Sequence, residues 1–255
     1  MSAAWAGPVP VEVSWARLGD AHDGLLPLLD PVERARHDAI ADPAGRGRFL
    51  VGCALSRLLL GELLGLSPAA VPLRRVCPRC GGPHGKVRLD PPGRSAAYDF
   101  SVTHSGALIG VAVCRGAEVG LDVEEAAAAL DVGSAARVAL SARESAALDS
   151  LPPAERERAF LRIWTRKEAV LKAFGVGLRM PLRGLEVSAP DAPPAVLAWP
   201  DESDRPAARP VPHLADLVVD GVHPAAVAVT GAGVTGVRIA ERDRSGAVSS
   251  YGRTT

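Results

Sequence analysis

The sequence predicts an α+β protein built as two loosely similar halves. Three observations carry this. Two long apolar stretches of helical period each open near a Phe-Leu pair (Phe49-Leu50 and Phe160-Leu161) and each stop at a glycine, Gly65 and Gly175. Each is followed by short segments of β pattern. The length, 255 residues with 47% hydrophobic side chains, supplies core enough for one large or two small domains without disulfide staples. Residues 1–115 and 116–240 are the expected lobes and 241–255 an expected flexible tail. A two-lobed layout places a site between the lobes.

The elements follow in order. VEVSWARL, residues 11–18, alternates and reads as a strand. Pro31 opens a helix over PVERARHDAI, closed by a turn at Asp42-Pro43. RFLVGCALSRLLLGELLG, residues 48–65, is apolar on most sides and is therefore a buried helix. Residues 72–95 are rich in loop residues and contain a short KVRL strand. From Phe100 the pattern turns to β: FSVTH, ALIGVAVC and EVGLDVE, the last two joined by a tight turn at Arg115-Gly116-Ala117. Residues 126–150 are Ala-rich and helical in pattern, and after Pro152-Pro153 the second long helix spans 154–175. LRGLEVS reads as a strand, 189–210 as an exposed connection, and LADLVVD, PAAVAVTG and TGVRIA as closing strands.

Composition excludes several function classes. Basic and acidic residues balance at 29 each, which argues against a nucleic-acid coat or a polybasic membrane binder. Ten aromatic residues are too few for a base-stacking platform. No signal sequence and no apolar run of about 20 residues is present, so a cytoplasmic protein is expected. Cys53 and Cys114 read as small core residues. Cys77, Cys80 and His84, in CPRCGGPH, offer three zinc ligands without an evident fourth. A zinc-ribbon nucleic-acid module would need a second CxxC and a basic face. Of the 29 basic residues only three are lysine, Lys86, Lys167 and Lys172. Coding bias toward arginine explains the rest, and the survivors mark places where a compact ammonium does what a guanidinium cannot.

Asp122 and Glu124 lie two apart in EVGLDVEE, so on a strand they share a face with Gly120 while Val119, Leu121 and Val123 face the core. Paired carboxylates repel unless a cation lies between them, and Mg²⁺ takes a few carboxylates while keeping places for phosphate oxygens. Two unrelated acids on a solvated edge is the plainer explanation. Trp164, Glu168 and Lys172 are spaced i, i+4, i+8 and line one helical face. Glu168-Lys172 is also an ordinary helix-stabilising pair, but that does not explain why two of three lysines gather here. His104, at a strand end before Ser105-Gly106, can present ring and backbone N–H groups to an anion. A Ser105-His104-Asp122 hydrolase lacks the G-x-S-x-G elbow.

FSVTHSG, VGLDVEE and WTRKEAVLKAFGVGL, in that order and spacing, resemble the three signature blocks of the 4'-phosphopantetheinyl transferases, most of all the large Sfp-type class. Arg48-Phe49-Leu50 and HGKVRL resemble upstream blocks, and the likeness runs over about residues 10–230. Val87 stands in place of the usual Pro and Ser101 in place of the common Asn. The resemblance implies a pseudo-twofold fold, each lobe a long helix on a small antiparallel sheet, with coenzyme A and Mg²⁺ or Mn²⁺ bound between them, the nucleotide on the N-terminal side. It implies transfer of 4'-phosphopantetheine to a serine of an apo acyl or peptidyl carrier protein of polyketide or nonribosomal-peptide type, with release of 3',5'-ADP. By the same resemblance Asp122, Glu124 and Glu168 hold the metal, His104, Thr103 and Lys172 meet coenzyme A's pyrophosphate, and Arg48, Lys86 and, more loosely, Arg34 bind its nucleotide end. Glu168, directly or through a water on the metal, is the base, and the chain acts as a monomer without nucleic acid or membrane. A metal-binding module without catalysis is the alternative of another class.

Overall fold

A computed structural model describes residues 7–75, 82, 85–90, 97–126, 131–177, 180–199 and 210–253. The chain is mixed α+β. Its elements are β1 (Gly7–Arg17), α1 (Pro31–Ala39), α2 (Pro43–Leu64), β2 (Leu73–Arg75), β3 (Val87–Leu89), β4 (Tyr98–Ser105), β5 (Leu108–Arg115), β6 (Glu118–Val123), α3 (Val132–Ala139), α4 (Ala142–Asp149), α5 (Pro153–Phe174), β7 (Glu186–Val187), β8 (Val196–Ala198), β9 (His213–Val219), β10 (His223–Thr230), β11 (Val234–Asp243) and α6 (Ser245–Ser250). No helix among the described residues is long and apolar enough to cross a membrane.

Both long helices start and stop where local chemistry directs. At α2, Asp42 accepts from the Gly45 N–H at 2.6 Å with Pro43 at the first position, which satisfies an end donor and presets the first turn. α5 opens on Pro153, and both helices end at a left-handed glycine, Gly65 and Gly175.

Two sheets form the frame. The first has strand order β11-β1-β5-β4 and the second β6-β10-β9. α2 covers one face of the first sheet, where Val51 and Leu55 pack with Phe100, Ile109, Val111 and Val113. The other face meets the second sheet: Val9, Val11, Val13 and Trp15 pack with Val119, Leu121 and Val123. α5 lies on the far side of the second sheet, with Ala169 and Ala173 against Ala226 and Ala228. The face of β6 holding Gly120, Asp122 and Glu124 therefore looks at a helix, not at a solvated edge.

The two sheets are joined by side chains. β4 and β6 are edge strands, and the unpaired N–H groups of β6 are taken up by alternate side chains of β4. Val119 donates to Asp99 Oδ2 at 2.8 Å, Leu121 to Ser101 Oγ at 3.0 Å, Val123 to Thr103 Oγ1 at 3.3 Å and Glu125 to Ser105 Oγ at 3.0 Å. A buried edge without such partners would leave costly orphan donors. Ser101 is thus one rung of this ladder.

The tight turn at Arg115-Gly116-Ala117 is found between β5 and β6, and two other expectations are corrected. The turn at Arg115-Gly116-Ala117 carries the chain from the first sheet into the second, since β6 pairs with β10 while β5 pairs with β1 and β4. The segment 241–253 is no loose tail: β11 runs parallel to β1 as far as Asp243, and α6 buries Val248 completely. LRGLEVS is a 3-10 turn followed by the two-residue β7. Cys77, Cys80 and His84 lie outside the described residues.

Buried charge follows donor geometry. Lys167, fully buried, donates to Glu144 Oε2 at 2.5 Å and to the carbonyl oxygens of Ala139 at 2.7 Å and Leu182 at 2.9 Å. Three acceptors around one nitrogen suit an ammonium. Arg57, equally buried, engages Asp30, Glu33 and the carbonyl oxygens of Pro68, Ala69 and Val71, which suits the five-donor fork. Lys167→Ala is expected to cost about 3–5 kcal/mol, because it strands the Glu144 carboxylate. Urea denaturation measures this, and a cost below about 1 kcal/mol would show that water replaces the ammonium.

Candidate active site

The site forms where β6 crosses α5. Alternate residues of the strand face successive parts of the helix. A Cβ added at Gly120 would collide with the α5 backbone at Ala169 and Ala173, so strand and helix touch there. Two residues on, Asp122 meets Lys172, whose Nζ donates to Asp122 Oδ1 at 2.6 Å. Two further, Glu124 meets Trp164, whose indole N–H donates to Glu124 Oε1 at 3.0 Å.

β4 supplies the third wall through its ladder side chains. Thr103 Oγ1 donates to Asp122 Oδ1 at 3.1 Å and accepts from Lys172 Nζ at 3.0 Å. Ser105 Oγ donates to Glu124 Oε2 at 2.7 Å. That engages the Ser105 hydroxyl with a carboxylate, not with His104, and removes the Ser105-His104-Asp122 hydrolase arrangement.

The electrostatics are those of crowded, desolvated acids. Burial raises Asp122, with Lys172 opposing the shift. Glu124 is also raised, first by burial and then by Asp122. Glu168 is pushed up to about 7 by burial, with Asp122 and Glu124 adding to the shift and Lys172 opposing it. Among the described residues, Asp122 Oδ2 and Glu168 Oε1 are buried without a hydrogen-bond partner, an arrangement that costs free energy unless a cation or proton serves them. Among the described residues, no group of three His, Cys, Asp or Glu side chains stands close enough to hold a metal ion as it is. The donor chemistry nevertheless fits a hard cation: two orphan carboxylate oxygens, and a third carboxylate tethered beside them by neutral donors.

The shift on Glu168 predicts a pH dependence. In the folded protein its pKa lies above the ordinary glutamate value of 4.5, so between pH 4.5 and about 7 the folded protein holds a proton that the unfolded chain has lost. Stability therefore falls as pH rises through that window. Discounted for partial exposure, the fall is expected to be about 2 kcal/mol between pH 4.5 and 8 in EDTA. Glu168→Gln, which cannot ionise, should lack it. Parallel stability–pH curves for the two proteins would refute the assignment.

The remaining sequence candidates divide. His104 is lowered by burial and by the Lys172 and Arg48 charges, so its imidazole is neutral at neutral pH. Arg48 donates to the Gly106 carbonyl oxygen at 3.2 Å and to Asp42 Oδ2 at 3.4 Å, at the turn that follows His104. Lys86 is elsewhere. Its ammonium is 9% exposed and pairs with Asp99, and it also donates to the carbonyl oxygens of Val119 at 2.8 Å and Ala173 at 3.4 Å. In this arrangement its three donors tie β4, β6 and α5 together. Arg34, on α1, donates to the Leu26 carbonyl oxygen just ahead of its own helix and is not among the cluster's partners. Sequence reasoning missed the roles of Ser105 and Glu125. The even spacing of Asp99, Ser101, Thr103 and Ser105 was the available signal.

A family model described as the 4'-phosphopantetheinyl transferase superfamily matches residues 118–226, the span holding β6 and α5. The chain is similar to the 4'-phosphopantetheinyl transferase HetI of Nostoc sp. strain PCC 7120, 31% identical over 225 residues, covering 88% of this chain and 86% of that protein. It is similar to the 4'-phosphopantetheinyl transferase psf-1 of Bacillus pumilus, 32% identical over 164 residues, 62% of this chain and 66% of the other. It is similar too to the 4'-phosphopantetheinyl transferase AcpT of Salmonella typhimurium, 37% identical over 138 residues, 54% of this chain and 66% of the other.

Proposed function

The chain belongs to the 4'-phosphopantetheinyl transferase superfamily, and on that premise we propose that it moves 4'-phosphopantetheine from coenzyme A to a serine of an apo acyl or peptidyl carrier protein, releasing 3',5'-ADP. The observation that carries this reading is the acid cluster itself, in which Asp122 Oδ2 and Glu168 Oε1 are buried without partners among the described residues and Lys172 stands beside them. A cation would relieve such a cluster, and a pyrophosphate bound with its cation beside the Lys172 ammonium suits it.

In this reading Asp122, Glu124 and Glu168 would hold Mg²⁺ or Mn²⁺, which would supply charge neutralisation for the pyrophosphate. Ser105 and Trp164 keep Glu124 in place from opposite sides. Lys172, with two of its three donors engaged among the described residues, offers the third to a phosphate oxygen, and Thr103 orients that ammonium. His104 and Arg48, at the β4–β5 turn, face the rest of coenzyme A, with His104 donating through a neutral ring. Glu168 takes the proton of the carrier serine. The serine oxygen bonds to the phosphorus on the pantetheine side, and the bond to the 3',5'-ADP oxygen breaks.

The reading keeps two lobes of the large Sfp-type class related by a pseudo-twofold, divided at the Arg115–Ala117 turn, with β11 and α6 returning to the first. It takes the protein as a cytoplasmic monomer serving polyketide or nonribosomal-peptide carriers. Intact-mass measurement of an apo carrier after incubation with the protein, coenzyme A and Mg²⁺ tests it. One added phosphopantetheine per carrier is expected, abolished by EDTA and restored by excess Mg²⁺. An unchanged carrier mass refutes the function, and full labelling in EDTA refutes the metal.

A further inference from the structure

Glu125, the second acid of the VEE run, belongs to neither the cluster nor the chemistry above, yet its carboxylate rests on the β4–β5 turn. Glu125 Oε1 accepts the Ala107 N–H at 3.2 Å, and the Glu125 N–H donates to Ser105 Oγ at 3.0 Å. Gly106 has φ +52°, the glycine-first pattern of a two-residue hairpin turn. A Cβ there would overlap the Glu125 carboxylate, with Oε1 at 2.7 Å. The missing side chain of the turn is thus replaced by the carboxylate of another strand's end.

Arg48 binds the same turn, at the Gly106 carbonyl oxygen, 3.2 Å from Nη1. The position of that guanidinium therefore depends on a backbone oxygen, and the position of that oxygen on the turn. His104 and Ser105 lead into the turn, so the neighbouring acids share it: Glu124 accepts from the Ser105 hydroxyl, Glu125 from the Ala107 amide. We propose that Glu125 is a positioning residue: it fixes the His104–Ala107 turn and, through the Gly106 carbonyl, holds Arg48 and His104 in place for coenzyme A. This role rests on the coenzyme A reading proposed above. Glu125 adds no ligand to the acid cluster and reaches it only through Ser105, so its loss should act more on binding of coenzyme A than on turnover.

Steady-state labelling with coenzyme A varied at saturating carrier tests the role. Glu125→Ala should raise KM for coenzyme A about tenfold and leave kcat within about threefold. Glu125→Gln, whose side-chain carbonyl still accepts the Ala107 N–H, should restore KM. Amide hydrogen exchange without substrates supplies a second readout: Ala107 should exchange faster in Glu125→Ala and return to the wild-type rate in Glu125→Gln. Unchanged KM and exchange in Glu125→Ala overturn the role, as does a Gln variant that behaves like Ala. A wild-type protein that labels no carrier overturns the coenzyme A reading and the role with it. A wild type that labels normally beside an unchanged Glu125→Ala overturns the role alone.

Discussion

Asp122→Ala is expected to abolish carrier labelling, with a loss of at least about 10²-fold in single-turnover rate. Three things go at once. One of the two orphan oxygens that would meet the cation is removed. Lys172 loses its 2.6 Å partner and is free to leave the position in which Thr103 alone would hold it. The Thr103 hydroxyl, which donates to Asp122 and accepts from Val123 and Lys172, loses its acceptor. The fold should survive, because the charge removed is a raised, desolvated one whose presence is a cost in the free protein. Labelling kinetics, with calorimetry of coenzyme A binding and a thermal melt beside them, separate these effects. Wild-type labelling by a folded Asp122→Ala protein would remove Asp122 from the site.

Gly120→Ala is expected to destabilise the protein by about 3 kcal/mol or more, the upper range for forced overpacking. The added Cβ would fall on the Ala169 carbonyl oxygen and the Ala173 nitrogen, with the Ala169 carbonyl carbon 2.9 Å away. These are backbone atoms of a helix and cannot swing aside as a side chain would, so α5 must lift from β6. That movement also parts Asp122 from Lys172 and Glu124 from Trp164, so activity should fall further than the folded fraction does. Urea denaturation and labelling of the same preparation give both numbers. A melting temperature within about 2 °C of wild type would show that α5 accommodates the methyl group.

The way these two predictions depend on β6 and α5 marks what was legible in the sequence. Val119, Leu121 and Val123 alternate with Gly120, Asp122 and Glu124, and period two alone decides that the acids share a face. Trp164, Glu168 and Lys172 recur at helical spacing, which decides that they share a stripe. Proline and glycine at the helix ends are local devices, so both stops and the start at Pro153 are legible, whereas Asp42-Pro43 reads as a turn and in fact opens α2. The scarcity of lysine pointed correctly to special positions, since Lys86, Lys167 and Lys172 all sit among converging oxygen acceptors.

What those positions do was settled only by contacts between distant segments. Nothing local distinguishes Lys86, held by Asp99, Val119 and Ala173, from a lysine open to a nucleotide. Its partners lie 13, 33 and 87 residues away. Asp99, Ser101, Thr103 and Ser105 look like the wet face of an edge strand until β6 brings four N–H donors against them. The C-terminal segment, polar in sequence, pairs with β1 some 226 residues earlier, where Trp15 donates to Glu241. Periodicity determines which face of an element a side chain takes, because it follows from the covalent chain. Which partner that face meets depends on packing the whole chain, and here that packing made a carboxylate with a pKa of about 7 out of an ordinary helical glutamate.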